Sequence, residues 1–325
     1  MRKTFVFIVA ACGLLLAGIA HAQTTAGGYP NRPVKVIVPF APSGPTDVTA
    51  RIVAQKLSDL LGQQFYIENQ AGAGGNIGMG NAAKAAPDGY TILFVSSSFV
   101  VNPSLYPKIP YDPYKDFIPI TNVADAPNLL IVNPSVPANS VKELIALIKS
   151  HPGTYSFASA GTGTTPHLSG ELFKLASNLD IVHVPVGGAG PAVQSTVGGH
   201  TPIAFTSLPP SVPMVRAGKL RALAVSSTTR SATLPDVPTM EESGLTGQEA
   251  DTFQAMLVPA GTPKAVTDLL YQQVVKIVGM PDVKQRFAEL GFDAVANTPE
   301  EFAAQIKIEI AKWGKVIKEA NIKAE

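Results

Sequence analysis

The short apolar run Val34–Val38 passes through Pro39, Phe40, Ala41, Pro42, Ser43 and Gly44 into a stretch that reads as a helix. In that stretch Val48, Ile52, Leu57 and Leu60 fall near one helical face. A β-branched run that hands over to helical spacing within a few residues is the unit from which α/β folds are built. Apolar, often β-branched runs recur at Thr91–Val95, Leu129–Val132, Ile181–Val184, Ile203–Phe205, Leu220–Val225 and Met256–Val258, with helical spacing between them. This alternation predicts an α/β protein with largely parallel sheets.

Helix boundaries are legible in several places. Ser140-Val141-Lys142-Glu143 is a capping box that opens a helix through Ile148. The segment Pro281 to Leu290 stops at Gly291, which suits a left-handed C-terminal position. Thr298-Pro299-Glu300-Glu301 opens a last helix, whose Phe302, Ile306, Ile310, Trp313 and Ile317 form one core-facing stripe. Turn-rich stretches at Asp112–Pro127 and Leu234–Gln248 mark two boundaries. The expected organisation is one discontinuous lobe, residues 23–125 with 249–325, and a second lobe of residues 126–248.

A turn between strand and helix leaves unpaired N–H groups and the positive helix end at one spot, which favours anions. The first such turn includes Pro42, Ser43, Gly44, Pro45 and Thr46. Asp47 follows it and is read as a helix cap, because a carboxylate facing an anion would repel it. The second turn lies in Ser156 to Leu168, where Ser159, Thr162 and Thr164 add hydroxyls. Gly161 and Gly163 permit close approach of a ligand to the main chain, and Pro166 suits the first helical turn. Leu168, Leu172 and Leu175 mark that helix's apolar face. Ligands of open α/β sheets sit beyond the carboxyl ends of the strands, so the two turns together predict a clamp for a small acid.

Enzyme motifs are absent. Phe157-Ala158-Ser159-Ala160-Gly161 lacks the first glycine of a nucleophile elbow, and no Gly-Lys-Ser/Thr follows a glycine-rich turn. Gly72-Ala73-Gly74-Gly75-Asn76-Ile77 lacks the last glycine of a dinucleotide fingerprint. His151, His167, His183 and His200 show no metal-ligand spacing, and a structural role is expected for His167 beside the second turn. No cofactor, metal or catalytic residue is expected.

The compartment follows from the N-terminus. Arg2 and Lys3 precede an apolar stretch from Thr4 to Ile19, and Ala20-His21-Ala22 fits cleavage after Ala22, so residues 1–22 are expected to be a removed signal peptide. Val9-Ala10-Ala11-Cys12 is similar to a lipoprotein box, but the apolar Gly13 to Ile19 argues against processing there. Loss of Arg2 and Lys3 turns 25 basic and 24 acidic side chains into 23 and 24. That balance suggests neither nucleic acid nor a polybasic membrane patch. The only cysteine leaves with the signal, so no disulfide is expected. A periplasmic export product is the simplest expectation.

Several segments, in this order, resemble the Bug family, the periplasmic solute-binding receptors of tripartite tricarboxylate transporters. They are Tyr29-Pro30-Asn31-Arg32-Pro33, the first turn with Ala50-Arg51, and Glu68-Asn69 followed by Gly72 to Gly78. Pro87-Asp88-Gly89-Tyr90-Thr91, Tyr111-Asp112, Asp116-Phe117 and the second turn ending in His167-Leu168 continue the series. Arg230, with Leu234-Pro235-Asp236-Val237-Pro238-Thr239, completes it. The resemblance implies a two-lobe periplasmic-binding-protein fold (type II-like) with the ligand in the interdomain cleft. It implies a small organic acid as ligand, held through backbone N–H groups and ordered water, and membrane permease subunits as partners. A monomer is expected.

By family position the cleft should be lined by Phe40, Ala41, Pro42, Ser43, Gly44 and Thr46, by Ser97 and Ser98, and by Ser159, Ala160, Gly161, Thr162, Gly163 and Thr164. Two departures add Gly187, Gly188 and Thr206. Val186-Gly187-Gly188 stands where the family often has Tyr-Lys-Gly, and Thr206 stands where it often has Asp. A neutral Thr206 pairs poorly with an ammonium, so a di- or aromatic carboxylate is expected rather than an amino acid. The alternatives are a ligand-sensing subunit for a membrane sensor kinase and an enzyme of small acids.

Overall fold

The structure, a computed structural model, describes residues 28–324. The expected signal peptide and Cys12 lie outside the described residues. The chain begins with β1 (Val34–Val38), α1 (Pro45–Leu61), β2 (Phe65–Asn69), α2 (Asn76–Ala83), β3 (Thr91–Ser96), α3 (Ser98–Leu105) and β4 (Phe117–Ala126). It continues with β5 (Asn128–Val132), α4 (Val141–Ser150), β6 (Ser156–Ser159), α5 (Thr165–Ser177), β7 (Val182–Pro185), α6 (Ala189–Val197), β8 (Ile203–Ser207), α7 (Leu208–Arg216) and β9 (Arg221–Val225). It closes with β10 (Thr252–Pro259), α8 (Lys264–Gly279), α9 (Pro281–Glu289), β11 (Asp293–Ala294) and α10 (Pro299–Glu319).

Two sheets organise these elements. The first has the order β11-β4-β10-β3-β1-β2 and the second β7-β6-β8-β5-β9. Side chains of alternate residues feed opposite faces, as a pleated strand requires. Val34, Val36 and Val38 join one core with α1 and α8, whereas Ile37 points to the other with Leu93, Val95, Phe99 and Trp313. In the second sheet Leu130 and Val132 face one core and Leu129 and Ile131 the other. Each such aliphatic side chain, fully buried, contributes about 1.5–3 kcal/mol.

The sheets are mixed, which corrects the expectation of largely parallel ones. β1 runs parallel to β2 and β3, and β6 to β7 and β8. β10 runs antiparallel to β3 and β4, β11 to β4, and β5 to β8 and β9. The reason is connectivity. Only Pro127 separates β4 of the first sheet from β5 of the second, so no crossover helix forms there. The return from β9 to β10 takes residues 226–251.

β4 itself occupies much of the stretch read as a turn-rich boundary. Its polar residues disguise it, but their groups are satisfied from far away. Thr121 Oγ1 donates to the Asn297 carbonyl at 2.7 Å and Asn122 N–H to Asn297 Oδ1 at 2.9 Å. Pro119 sits opposite Leu257, next to an irregularity in the register that spares the missing N–H. The capped helix starts form as expected. Thr298 and Glu301 make a complete reciprocal box, while Glu143 reaches past Ser140 to the Asn139 N–H.

Three carboxylates crowd the crossing. Asp125 pairs with Phe253 on one side and Asp293 on the other, and Asp251 immediately precedes β10. Burial first, and then neighbouring carboxylates, push Asp125 up to about 6 and Asp251 up to about 7, although Asn122 and Ser226 donate to them. Both titrate near 3.9 in an unfolded chain, so the folded protein holds extra protons between about pH 4 and 7. Stability therefore falls as pH rises through that window. The Asp125→Asn, Asp251→Asn double variant is expected to exceed the parent at pH 8 by on the order of 2 kcal/mol and to converge with it below about pH 4. Denaturant unfolding at the two pH values checks this, and an equal gap at both would refute it.

Candidate functional site

The first turn is held by Asp47 from beneath. Ser43 adopts φ +67°, a left-handed conformation unusual for a residue with a side chain. Asp47 Oδ2 accepts the Ser43 N–H at 2.8 Å and Arg51 Nε at 2.9 Å. Its Oδ1 accepts from Asn69 Nδ2 at 2.8 Å and Arg51 Nη2 at 3.0 Å, and Asn69 also donates to the Phe40 carbonyl. Burial alone would raise the Asp47 carboxyl, but hydrogen bonds from Arg51, Asn69 and Ser43 hold it below the ordinary range. The N-cap of α1 is Gly44; Asp47 is the third helical residue and reaches back to the turn.

The second turn connects β6 to α5. Gly161 has φ +148° and Gly163 φ +77°. Gly161 N–H donates to Ser159 Oγ at 3.2 Å and Gly163 N–H to His167 Nδ1 at 3.0 Å. Ser159 Oγ also pairs with His183 Nε2 at 2.7 Å, and the two imidazoles stack with centroids 3.8 Å apart. Burial, and then the adjacent His167, depress His183 to about 4, so it is neutral at physiological pH. His167 accepts at Nδ1, so in the neutral ring the proton sits on Nε2, on the side of Glu171 Oε1 at 3.7 Å. Thr164 caps α5 and donates to the Gly161 carbonyl at 2.7 Å. Gly170 brings α5 onto β6, since a Cβ there would stand 2.2 Å from the Phe157 ring.

Between the two sheets lies a cavity of about 310 Å³. The starts of five helices line it: Pro45 of α1, Ser98 of α3, Thr165 and Pro166 of α5, Ala189 of α6 and Pro209 of α7. Within the described residues no hydrogen bond takes up the N–H groups of Ser98, Phe99, Thr165, Ala189 or Gly190. Phe40, Leu105, Tyr106 and Phe292 add apolar wall, and among the described residues no charged side chain lines the space. Such a site offers dipoles and N–H donors to an anion without a buried counter-charge.

The two halves touch around this cavity. The Thr165 and Thr252 hydroxyls share a hydrogen bond. A Cβ on Gly163 would lie 2.2 Å from Leu105 Cδ2, and one on Gly291 3.1 Å from Pro209 Cγ. Leu168 of α5 is buried in the core that α3 and α10 build on the first sheet.

Of the residues expected to line the site, Phe40, Ser97, Ser98, Ala160, Thr162, Gly163 and Thr164 line this cavity. Ala41, Pro42 and Ser43 are exposed, and neither they nor Gly44 and Thr46 line the cavity. Ser159 is buried on His183, and Gly161 shapes the turn without facing the space. Gly187 and Gly188 precede α6, whose Ala189 provides the contact instead. Thr206 shares strand parity with Ala204, is fully buried and does not line the cavity; Ser207 does. Residues the motif reading missed include Asn102, Tyr106, Thr252, Gln254 and Phe292. No local signal marks Gln254 or Phe292.

The sequence profile of the tripartite tricarboxylate transporter family receptor matches residues 49–322. The chain belongs to this receptor family. The receptor is 39% identical to protein BugT of Bordetella pertussis over 325 residues, with 99% of each chain covered. Among solved structures it is similar to Rpa4515 of R. palustris with adipate, at 34% identity and TM-score 0.80, covering 91% of this chain and 99% of that one. It is also similar to MatC of Rhodopseudomonas palustris with bound malate, at 33% identity and TM-score 0.76, covering 89% and 100%. The receptor has the two-lobe α/β fold of these periplasmic binding proteins.

Proposed function

We propose that the receptor works in the periplasm, after removal of residues 1–22, and captures a small organic carboxylate for membrane permease subunits of a tripartite tricarboxylate-type transporter. The observation that carries this is the convergence of five helix starts on one cavity without a charged side chain. Lobes of residues 23–125 with 249–325 and of residues 126–248 close on the ligand, because only the closed arrangement brings both sets of N–H donors to it. The adipate and malate of the related structures support the ligand class. The cavity volume is at the small end of ligand pockets, which fits an acid of a few carbons.

A non-amino acid is favoured for a reason other than Thr206. Among the described residues no aspartate or glutamate lines the cavity, so a ligand ammonium would be buried without a partner. The receptor binds its ligand without turnover. Calorimetry with the mature chain is expected to show binding of dicarboxylates or aromatic acids and none of aspartate or glutamate. The bound acid is expected to be recovered chemically unchanged by mass spectrometry. Tight binding of the amino acids alone, or conversion of the bound acid, would overturn the reading.

A further inference from the structure

Two side chains in the cavity wall, among the described residues, hold an enclosed polar atom without a partner. Gln254 of β10 lies in register with Ser96, is 1% exposed and lines the cavity. Its amide makes no hydrogen bond among the described residues, and its Oε1 is enclosed without a donor. Ser98, on the same cavity, likewise has an enclosed Oγ without a partner. Some of the other lining hydroxyls are already occupied, whereas those of Ser96, Thr162, Ser207 and Tyr106 make no hydrogen bond among the described residues but are not enclosed. Ser97 Oγ accepts the Phe253 N–H at 2.9 Å, Thr164 donates to Gly161, and Thr165 pairs with Thr252.

An enclosed polar group without a partner is costly and calls for an explanation at the site that holds it. The helix starts match what an ionised carboxylate offers, because a carboxylate only accepts hydrogen bonds. The Gln254 amide asks for something else. It has a donor end and an acceptor end, and a carboxylate cannot satisfy Oε1. Exchanging the oxygen and nitrogen of the amide leaves the same need, since one end still lacks a partner. A hydroxyl both donates and accepts, so it meets either orientation. An ammonium would also donate, but the lining supplies no counter-charge for it.

We propose that Gln254 reads a hydroxyl on the ligand, so that hydroxycarboxylates bind in preference to plain acids of the same skeleton. This rests on the carboxylate-receptor reading above and narrows its ligand class.

The test pairs acids that differ by one hydroxyl: succinate with malate, glutarate with 2-hydroxyglutarate, and benzoate with 4-hydroxybenzoate. Calorimetry of the mature chain is expected to show at least one pair in which the hydroxylated member binds about 10-fold tighter or more. In Gln254→Met, which keeps the length and loses the amide, that ratio is expected to fall to about one. If Gln254→Met does not fold, Gln254→Asn, which withdraws the amide, must reduce the ratio. Plain acids that bind as tightly as their partners in the parent overturn the proposal and leave the carboxylate reading intact. A ratio that persists in the folded variant also overturns it. If none of the six acids binds, both the proposal and the reading beneath it fall.

Discussion

Gly163→Val is expected to weaken binding of the preferred carboxylate by at least about 100-fold while leaving the receptor folded. Two effects add. Gly163 has φ +77°, a region that a β-branched residue enters only under strain. A Cβ there would also meet Leu105 Cδ2 at 2.2 Å, where α5's turn from one half of the molecule touches α3 from the other. Leu105 is 8% exposed and packed in a core, so it has little room to retreat. The turn must move or the halves must part, and either displaces the Thr162 and Thr164 wall and the Thr165 donor. A loss of 100-fold corresponds to about 2.7 kcal/mol, within what strain and a broken contact supply. Calorimetry gives the affinity and circular dichroism the fold. An affinity within tenfold of the parent would show that the turn is not part of the site.

The second large effect is on stability. Asp47→Ala is expected to lower it by about 3 kcal/mol, because a carboxylate with four hydrogen bonds is replaced by nothing. The Ser43 N–H, Asn69 and Arg51 lose their acceptor together, and Ser43 loses the bond that holds its left-handed conformation. A fall in Tm of about 5 °C or more is the expected reading. The pH dependence has a definite sign. The carboxyl is held below its ordinary value, so its contribution is present above about pH 4 and is lost as pH falls through the folded value. This is opposite to the behaviour of Asp125 and Asp251. A Tm within one degree of the parent at pH 7 would mean that the turn holds its shape without Asp47.

Much of the fold was legible because its signals are local. Val34–Val38, the capping box at Thr298 and the stripe from Phe302 to Ile317 each need only a window of neighbouring residues. β4 was not legible, since Pro119, Thr121, Asn122 and Asp125 read as loop until Asn297 arrives to satisfy two of them. The mixed sheet direction was hidden for a related reason: a one-residue crossing at Pro127 leaves no trace in periodicity. In the cavity wall, the second turn was legible because its glycines and hydroxyls sit in one run. The first turn contributes Phe40 and Pro45 to the cavity wall, while Ala41, Pro42 and Ser43 are exposed outside it. Gln254 was invisible, because a lone glutamine in an apolar strand acquires meaning only when the cavity beside it is known.

Pro127 also bears on the mechanics of the proposed capture. The last residue of β4 and the first of β5 are two Cα–Cα steps apart, so those strand ends stay within about 7.6 Å of each other in any arrangement. That joint acts as an axle: the halves can swing about it but cannot slide apart. The 226–251 return is long enough to follow the swing without directing it. On the capture proposed above, cargo leaves when the rim contacts Gly163–Leu105 and Gly291–Pro209 separate, with the widest gap opening at the edge farthest from the axle.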